Sequence, residues 1–257
     1  MCLILFSYDK HPAYRLVLAA NRDEFYDRPT APAHFWKKGG GILAGRDEKA
    51  GGTWMGLTRA GRWAAVTNYR DFRTPPDDDA PSRGRLVTGF LESDDAPAVH
   101  LDDLATRADR YNGFNLLAGT PGAVGYLSNR DGAPRTLDPG LYGISNHLLD
   151  TPWPKVQGGK AALREQIDRD APIEPEPLLE VLADTAVPPD DELPDTGMSL
   201  ERERMVAPRF IRGERYGTRS STVLLVRRDG GVTFVERRFE GNSESYEDRR
   251  FDFPLEQ

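Results

Sequence analysis

The chain of 257 residues contains one cysteine, at position 2, and four histidines, His11, His34, His100 and His147. A single thiol excludes an internal disulfide framework and any multi-cysteine metal centre, and the scattered histidines fit no zinc spacing. Basic residues are the minority, 34 against 41 acidic ones, giving a formal charge of −7. That balance disfavours nonspecific binding to a phosphate backbone and sets nucleic acid aside as a partner. No apolar run approaches the roughly 20 residues that cross a bilayer, and the first residues lack the basic region and cleavage site of a signal peptide. The expected location is cytoplasmic, with no integral membrane segment. Internal repeats are also missing. The glycine-rich "KKGGGILAG" lacks both the strand, glycine, helix order of a phosphate loop and a following Lys-Ser or Lys-Thr, so it is not a nucleotide motif.

What remains is a globular composition, 38% hydrophobic and 29% charged with 25 glycines and 20 prolines, which suits a single domain over 1–257 with many turns. Strands are expected at 3–8, 15–20, 53–57 and 62–67, each bounded by Gly, Pro or charged residues. Ser82 is placed to cap a helix whose Leu86, Val87, Phe90 and Leu91 form one apolar stripe, and a second helix covers 98–111. Strands return at "FNLLAG", "AVGYLS" and "LYGIS", followed by helices over 155–168 and 176–186. "VPPDDELPDTG" reads as an exposed loop. "STVLLVRRDGGVTFVERRF" gives two strands around an Asp-Gly turn, the first apolar on both faces and therefore central in its sheet. Residues 241–257 read as an irregular tail, with Phe251 and Phe253 docking it back. Blocks of strands separated by helix pairs favour an α+β layered fold over an alternating parallel α/β one.

Two readings of Cys2 stand. It is a small buried hydrophobe at a strand start, or it is a nucleophile that becomes the first residue once Met1 is removed. A thiol with a pKa of about 8.5 is only a few per cent ionised near neutrality, and an N-terminal nucleophile draws on its own α-amine, of pKa about 7.7 to 8.0, as base. Partners for that chemistry cluster at strand ends. "AANRDEF" offers Asn21, Arg22, Asp23 and Glu24, "VTNYRDF" offers Asn68, Tyr69 and Arg70, "YGISNH" offers Asn146 and His147, and "YGTRSSTVLL" offers Arg219. Trp54 in "GGTWMG" is a core residue or part of a binding wall. Asp23 with Arg22 equally reads as a structural ion pair, and Asn146 beside His147 admits a Cys-His-Asn arrangement.

On these stretches, "NRDE" at 21–24, "GGTWMG" at 51–56, "VTNYR" at 66–70 and "YGTRSSTVLL" at 216–225, the chain resembles the NRDE-motif family, also called the transport and Golgi organisation protein 2 family. The resemblance implies an N-terminal nucleophile hydrolase-like fold, an αββα sandwich of two antiparallel sheets between helical layers. More distantly the chain is similar to the choloylglycine hydrolase and penicillin V acylase group, which begins Met-Cys and cleaves C–N amide bonds. That similarity implies Cys2 as nucleophile, Asp23 as the carboxylate on the α-amine, Asn68 and Asn146 as oxyanion and amine-positioning residues, and Arg219 as the basic partner of the thiolate. Asn21, Arg22, Trp54, Tyr69, Arg70 and His147 complete the site as substrate-binding candidates. In that group an arginine lies three residues before the aspartate; here the position is Ala20, and the strand alternation turns Arg22 away from the thiol.

Two functions follow. One is a thiol hydrolase or acyltransferase acting on the amide of a small molecule, with no cofactor required. The other, implied by the NRDE family, is a non-enzymatic carrier of haem, acyl-coenzyme A or lipid in the same cleft. A scaffold without a small ligand is the blandest alternative.

Overall fold

Residues 2–8 are apolar or small and buried on both alternating faces, which places this strand inside a layered structure rather than at its surface. The computed structural model describes residues 2–37, 41–169, 171–243 and 245–256. Met1 and positions 38–40 of the glycine-rich run lie outside the described residues. The elements in chain order are β1 (Cys2–Tyr8), β2 (Tyr14–Phe25), β3 (Thr30–Phe35), β4 (Leu43–Asp47), β5 (Met55–Leu57), β6 (Trp63–Asn68), α1 (Gly84–Leu91) and α2 (Pro97–Ala105). There follow β7 (Phe114–Thr120), β8 (Ala123–Ser128), β9 (Arg135–Thr136), β10 (Gly140–Ile144), α3 (Pro154–Ile167), α4 (Pro175–Leu182) and α5 (Leu200–Val206). The chain closes with β11 (Tyr216–Arg227), β12 (Gly231–Phe239) and β13 (Tyr246–Pro254).

The strands form two antiparallel sheets, β10-β1-β2-β11-β12-β13 and β3-β4-β5-β6-β7-β8-β9. Alternation sorts their side chains into three layers. Ile4, Phe6, Leu18, Leu224 and Phe234 of the first sheet face Leu43, Leu57, Trp63, Leu117 and Tyr126 of the second. The opposite face of the first sheet, with Leu3, Leu5, Val17 and Leu225, packs on α3 and α4 through Val156, Leu163, Leu178 and Leu182. The outer face of the second sheet packs on α1 and α2 through Val87, Phe90, Leu101 and Leu104. This is an αββα sandwich. Helix α3 lies close against β1 because Gly159 carries no side chain; a Cβ there would lie 2.6 Å from Leu5 Cδ1. Among the described residues no helix is long and apolar enough to cross a membrane.

Several sequence expectations change. The tail is not irregular: β13 pairs with β12 from Gly231↔Pro254 to Phe239↔Tyr246, because Phe251 and Phe253 alternate onto the inter-sheet core, where they pack with Phe35. Ser82 does not cap α1, whose N-cap position is Arg83 with no side-chain cap. The strand expected over 53–57 is confined to Met55–Leu57, so Trp54 precedes it and packs partly buried against two core clusters. Strands β3 and β4 and helix α5 were unforeseen, being short and interrupted by Pro, Gly and charge. The expectation that "STVLLV" is central holds, since β11 lies between β2 and β12.

The glycine pair in "GGTWMG" also has a packing reason. A Cβ at Gly52 would lie 2.8 Å from the backbone carbonyl of Gly84, at the start of α1. Backbone cannot swing aside as a side-chain tip does, so Gly52→Ala is expected to destabilise the protein by about 1–3 kcal/mol through overpacking. A lower urea midpoint with an unchanged slope checks it.

Candidate active site

Cys2 and Arg22 are direct partners across the β1–β2 ladder, and Arg22 is also the partner of Ser220 on β11. Paired residues share a face, with Cβ atoms about 4.5–5.5 Å apart. Arg22 therefore projects on the same inter-sheet side as the thiol, which corrects the expectation that alternation turns it away. Asn21 and Asp23 project on the other side, toward the helices.

A cleft of about 450 Å³ opens where the strand ends converge, lined by Cys2, Arg22, Asp23, Glu24, Asn68 and Arg83 among others. Cys2 is 8% exposed. Burial pushes its thiol up, and the Asp23 carboxylate pushes the same way; Arg22 and a hydrogen bond from the Asp23 backbone N–H partly offset them. The thiol is thus the resting form at neutral pH, and attack on a carbonyl needs a proton acceptor.

Asp23 is held by Thr218, whose hydroxyl donates to Oδ1 at 2.7 Å while accepting from the Ile211 N–H at 2.9 Å. Burial raises the Asp23 carboxyl, and Lys155, Thr218 and Arg22 draw it back. Tyr216 donates to the Asp23 carbonyl at 3.1 Å. Its own hydroxyl is pushed well above the usual range by burial and by Asp23 and Cys2.

The two asparagines divide their roles. Asn146 is fully buried, donating to the Asn68 carbonyl at 3.0 Å and accepting from Ser145 at 3.3 Å, while its own carbonyl accepts from the Arg70 N–H at 2.7 Å. It locks the end of β6 to the residues after β10. Ser145 also donates to the Cys2 carbonyl at 2.9 Å, which ties the Cys2 backbone to the same joint. Asn68 lines the cleft, and among the described residues no hydrogen bond occupies its side-chain amide.

Other sequence-derived candidates lie elsewhere. Arg219 falls at the bulge where β11 shifts register between Thr218 and Ser220. It donates to the carbonyls of Phe25 and Arg28, and with Arg22, Trp54 and Arg238 it lines a separate small pocket of about 50 Å³. It does not line the Cys2 cleft. Asn21 is fully buried and structural, donating to Leu182 and Arg209 carbonyls and accepting from Ser221. His147 has both ring nitrogens engaged, with Tyr69 at 2.9 Å and Thr151 at 2.8 Å, and lines no part of the cleft, which leaves the Cys-His-Asn arrangement without a base. Arg70 is buried against Glu203 at 2.9 Å and over the Trp153 ring at 4.6 Å. Tyr69 and Arg70 line a neighbouring groove of about 210 Å³ that shares Asn68, Arg83 and Asn112 with the cleft. Trp54 does line the cleft, beside Arg22.

Three contributors escaped sequence reading. Arg83 stands at the start of α1, donates to the Gly113 carbonyl at 3.0 Å, and interacts with Cys2 and Glu24. Thr218 sat inside a quoted motif without a role. Lys155 is 6% exposed in the first turn of α3. A cation at a helix N-terminus, where acids are favoured, was a signal available in "WPK".

The two-sheet sandwich with helices on both outer faces and a cysteine beginning a central strand is the N-terminal nucleophile hydrolase fold. It matches the solved C2A mutant of the conjugated bile acid hydrolase from Clostridium perfringens with a TM-score of 0.52 at 9% identity, over 98% of this chain and 92% of that one. The chain belongs to the Transport and Golgi organisation 2 family, whose profile matches residues 1–241. It is 38% identical to the mouse (Mus musculus) Transport and Golgi organization 2 homolog and 39% identical to the human (Homo sapiens) one. Each alignment runs over 277 positions and covers 100% of both chains.

Arg70 and Glu203 bridge the joint behind the cleft, and the Glu203 carboxylate also accepts from the Thr196 N–H and hydroxyl. Arg70→Met leaves that carboxylate buried without its cation and is expected to cost about 3–5 kcal/mol. Arg70→Met with Glu203→Gln should recover a large part of the loss. Urea unfolding of the single and double variants measures both.

Proposed function

We propose that the chain is a thiol-dependent amidohydrolase or acyltransferase acting on a C–N bond of a small molecule, with Cys2 as nucleophile after removal of Met1. The observation that carries this reading is the convergence on Cys2 of a held carboxylate, Asp23, and an unengaged amide donor, Asn68, inside a cleft of substrate size. The fold shared with the C2A mutant of a conjugated bile acid hydrolase, a substitution that falls on a cysteine at position 2, supports it.

In this mechanism the Cys2 sulfur bonds to the substrate carbonyl carbon as its proton passes to the liberated α-amine. Asp23 holds the resulting ammonium. Asn68, with a backbone N–H, receives the developing oxyanion, and Asn146 and Ser145 fix the two backbones that carry Asn68 and Cys2. Collapse breaks the C–N bond, and the leaving amine takes the proton from the α-ammonium. Water then attacks the thioester, returning the thiol and releasing the acid; a second amine in place of water gives acyl transfer. Arg22 beside the sulfur favours negative charge at this point.

A second reading, a carrier, draws on Arg22, Arg28, Lys49 and Arg83, which line the cleft together with the acids Asp23, Glu24, Asp47 and Asp78. Guanidinium groups of this kind pair with phosphates or carboxylates, which suits acyl-coenzyme A. For haem the lining offers Cys2 as a sulfur ligand and the Trp54 ring as an aromatic face, and none of its residues is a histidine.

Intact mass of the cell-made protein should equal the chain without Met1, and iodoacetamide should add one adduct that Cys2→Ala abolishes. Retained Met1 would overturn the catalytic reading. With the p-nitroanilides of short acids as probes, Asn68→Ala should lower kcat by about 10²–10³, the usual cost of one oxyanion donor, at an unchanged melting temperature. Turnover that survives Cys2→Ala would count against the hydrolase, and saturable binding of acyl-coenzyme A without turnover would favour the carrier.

A further inference from the structure

Behind the cleft four ionisable groups are nearly or wholly buried: Asp23, Lys155, Arg70 and Glu203. Arg70 and Glu203 are joined at 2.9 Å and offset each other. Lys155 remains, and its Nζ has no hydrogen-bond partner among the described residues. Its place is doubly unfavourable for a cation. The side chain is 6% exposed, and it sits directly after the Pro154 that starts a helix of 14 residues, at the positive end of the helix dipole. The apolar residues around it belong to the layer between α3 and β1, where Val156 and Trp153 pack with Leu3 and Leu5.

Asp23 of β2, on the helix side of the sheet and held by Thr218, is among the charged groups that act on this position. The charged and titratable groups facing Lys155 are Asp23 from β2, Cys2 from β1, Arg70 from the segment after β6 and Glu203 from α5. Of the two carboxylates, Glu203 is engaged by Arg70 and Thr196, which leaves Asp23 as the counter-charge of the lysine. Burial draws the Lys155 ammonium down to about 8, with Asp23 the foremost group resisting the change.

We propose that Lys155 is a positioning residue whose buried ammonium keeps Asp23 ionised, and that through Asp23 it governs the charge felt by Cys2. This inference rests on the reading of Cys2 and Asp23 as the working end of the site, but not on any substrate. Burial raises the Asp23 carboxyl and Lys155 is foremost among the groups that draw it back, so loss of the ammonium favours the neutral acid, which holds an ammonium at the nucleophile less well. The lysine acts through Asp23 and touches neither substrate nor sulfur.

The test is the pH profile of iodoacetamide alkylation at Cys2, the chain's single cysteine, in wild type, Asp23→Asn, Lys155→Met and the double variant. Asp23 is one of the charges that raise the thiol, so Asp23→Asn in the wild-type background should move the profile to lower pH, each unit of movement being about tenfold faster alkylation at pH 7. On this proposal Lys155→Met has already shifted Asp23 toward its neutral form, and Asp23→Asn in that background should leave the rate within about twofold, a non-additivity that marks coupling through Asp23. The same acceleration in both backgrounds, or none in the wild type, overturns the proposal. A purely structural lysine would alter the melting temperature and leave the cycle additive. Should Lys155→Met fail to fold, NMR of [13Cε]lysine protein decides: Lys155 should titrate near 8 and fall further in Asp23→Asn, and a midpoint that Asp23→Asn leaves in place overturns it. Alkylation needs no substrate, so failure to find hydrolysis would leave this result intact, and an additive cycle would leave the hydrolase reading standing on its own test.

Discussion

The register of three central strands governs this molecule. β1, β2 and β11 pair so that Cys2 lies across from Arg22 and Arg22 across from Ser220. A slip of one residue would exchange every face. Leu3 and Leu5 would then enter the inter-sheet layer, Ile4 and Phe6 would meet α3, and the thiol would lose its cationic neighbour. Burial on both faces of β1 penalises such a slip along the whole strand, so the same hydrophobic pattern that builds the sandwich also aims the Cys2 thiol.

Charge is the second constraint. The cleft and its back wall concentrate ionisable groups in a region with little water, where an unpaired charge is costly. The structure answers by pairing them from different elements: Arg70 with Glu203 at 2.9 Å, Arg28 with Asp47 at 2.6 Å, and Asp23 with the Thr218 hydroxyl at 2.7 Å. Each pairing crosses between segments distant in sequence, so the electrostatics of the site fix how α5, β2, β4 and β11 sit. Exposed pairs such as Arg107 with Asp103, at 2.5 Å on the surface of α2, do no comparable structural task.

Much of this architecture was legible from letters alone. "AVGYLS" coincides with β8, "STVLLV" is central as its two-sided apolarity required, and the helix expected over 155–168 spans Pro154–Ile167. The tail was misread because charge alternates with Phe251 and Phe253, a period-2 pattern that a charged composition masks. At the site, sequence reading found the residues that line the cleft at strand ends, Cys2, Arg22, Asp23 and Asn68, and overreached with Arg219 and His147. Arg219 lies at a bulge of β11 and donates to backbone carbonyls, and His147 has both ring nitrogens in hydrogen bonds, so neither lines the cleft. Lys155 left only the signal of a cation at a helix start, because Asp23, the foremost charge acting on it, is 132 positions away in the chain.

The four letters "NRDE" make the same argument in miniature. They lie in β2, so alternation splits them into two pairs with separate duties. Asn21 and Asp23 face the helices, where Asn21 closes the carbonyls of Leu182 and Arg209 and Asp23 accepts from Thr218. Arg22 and Glu24 face the cleft and lie 3.9 Å apart, and Glu24 continues to Arg28 at 3.8 Å and thence to Asp47. The motif is therefore no single cluster. One half anchors the sheet to its helical layer and supplies the carboxylate beside Cys2; the other begins a ribbon of alternating charge along the cleft wall. Asp23 and Arg22, one from each half, act on the Cys2 thiol in opposite senses, the carboxylate raising it and the guanidinium lowering it.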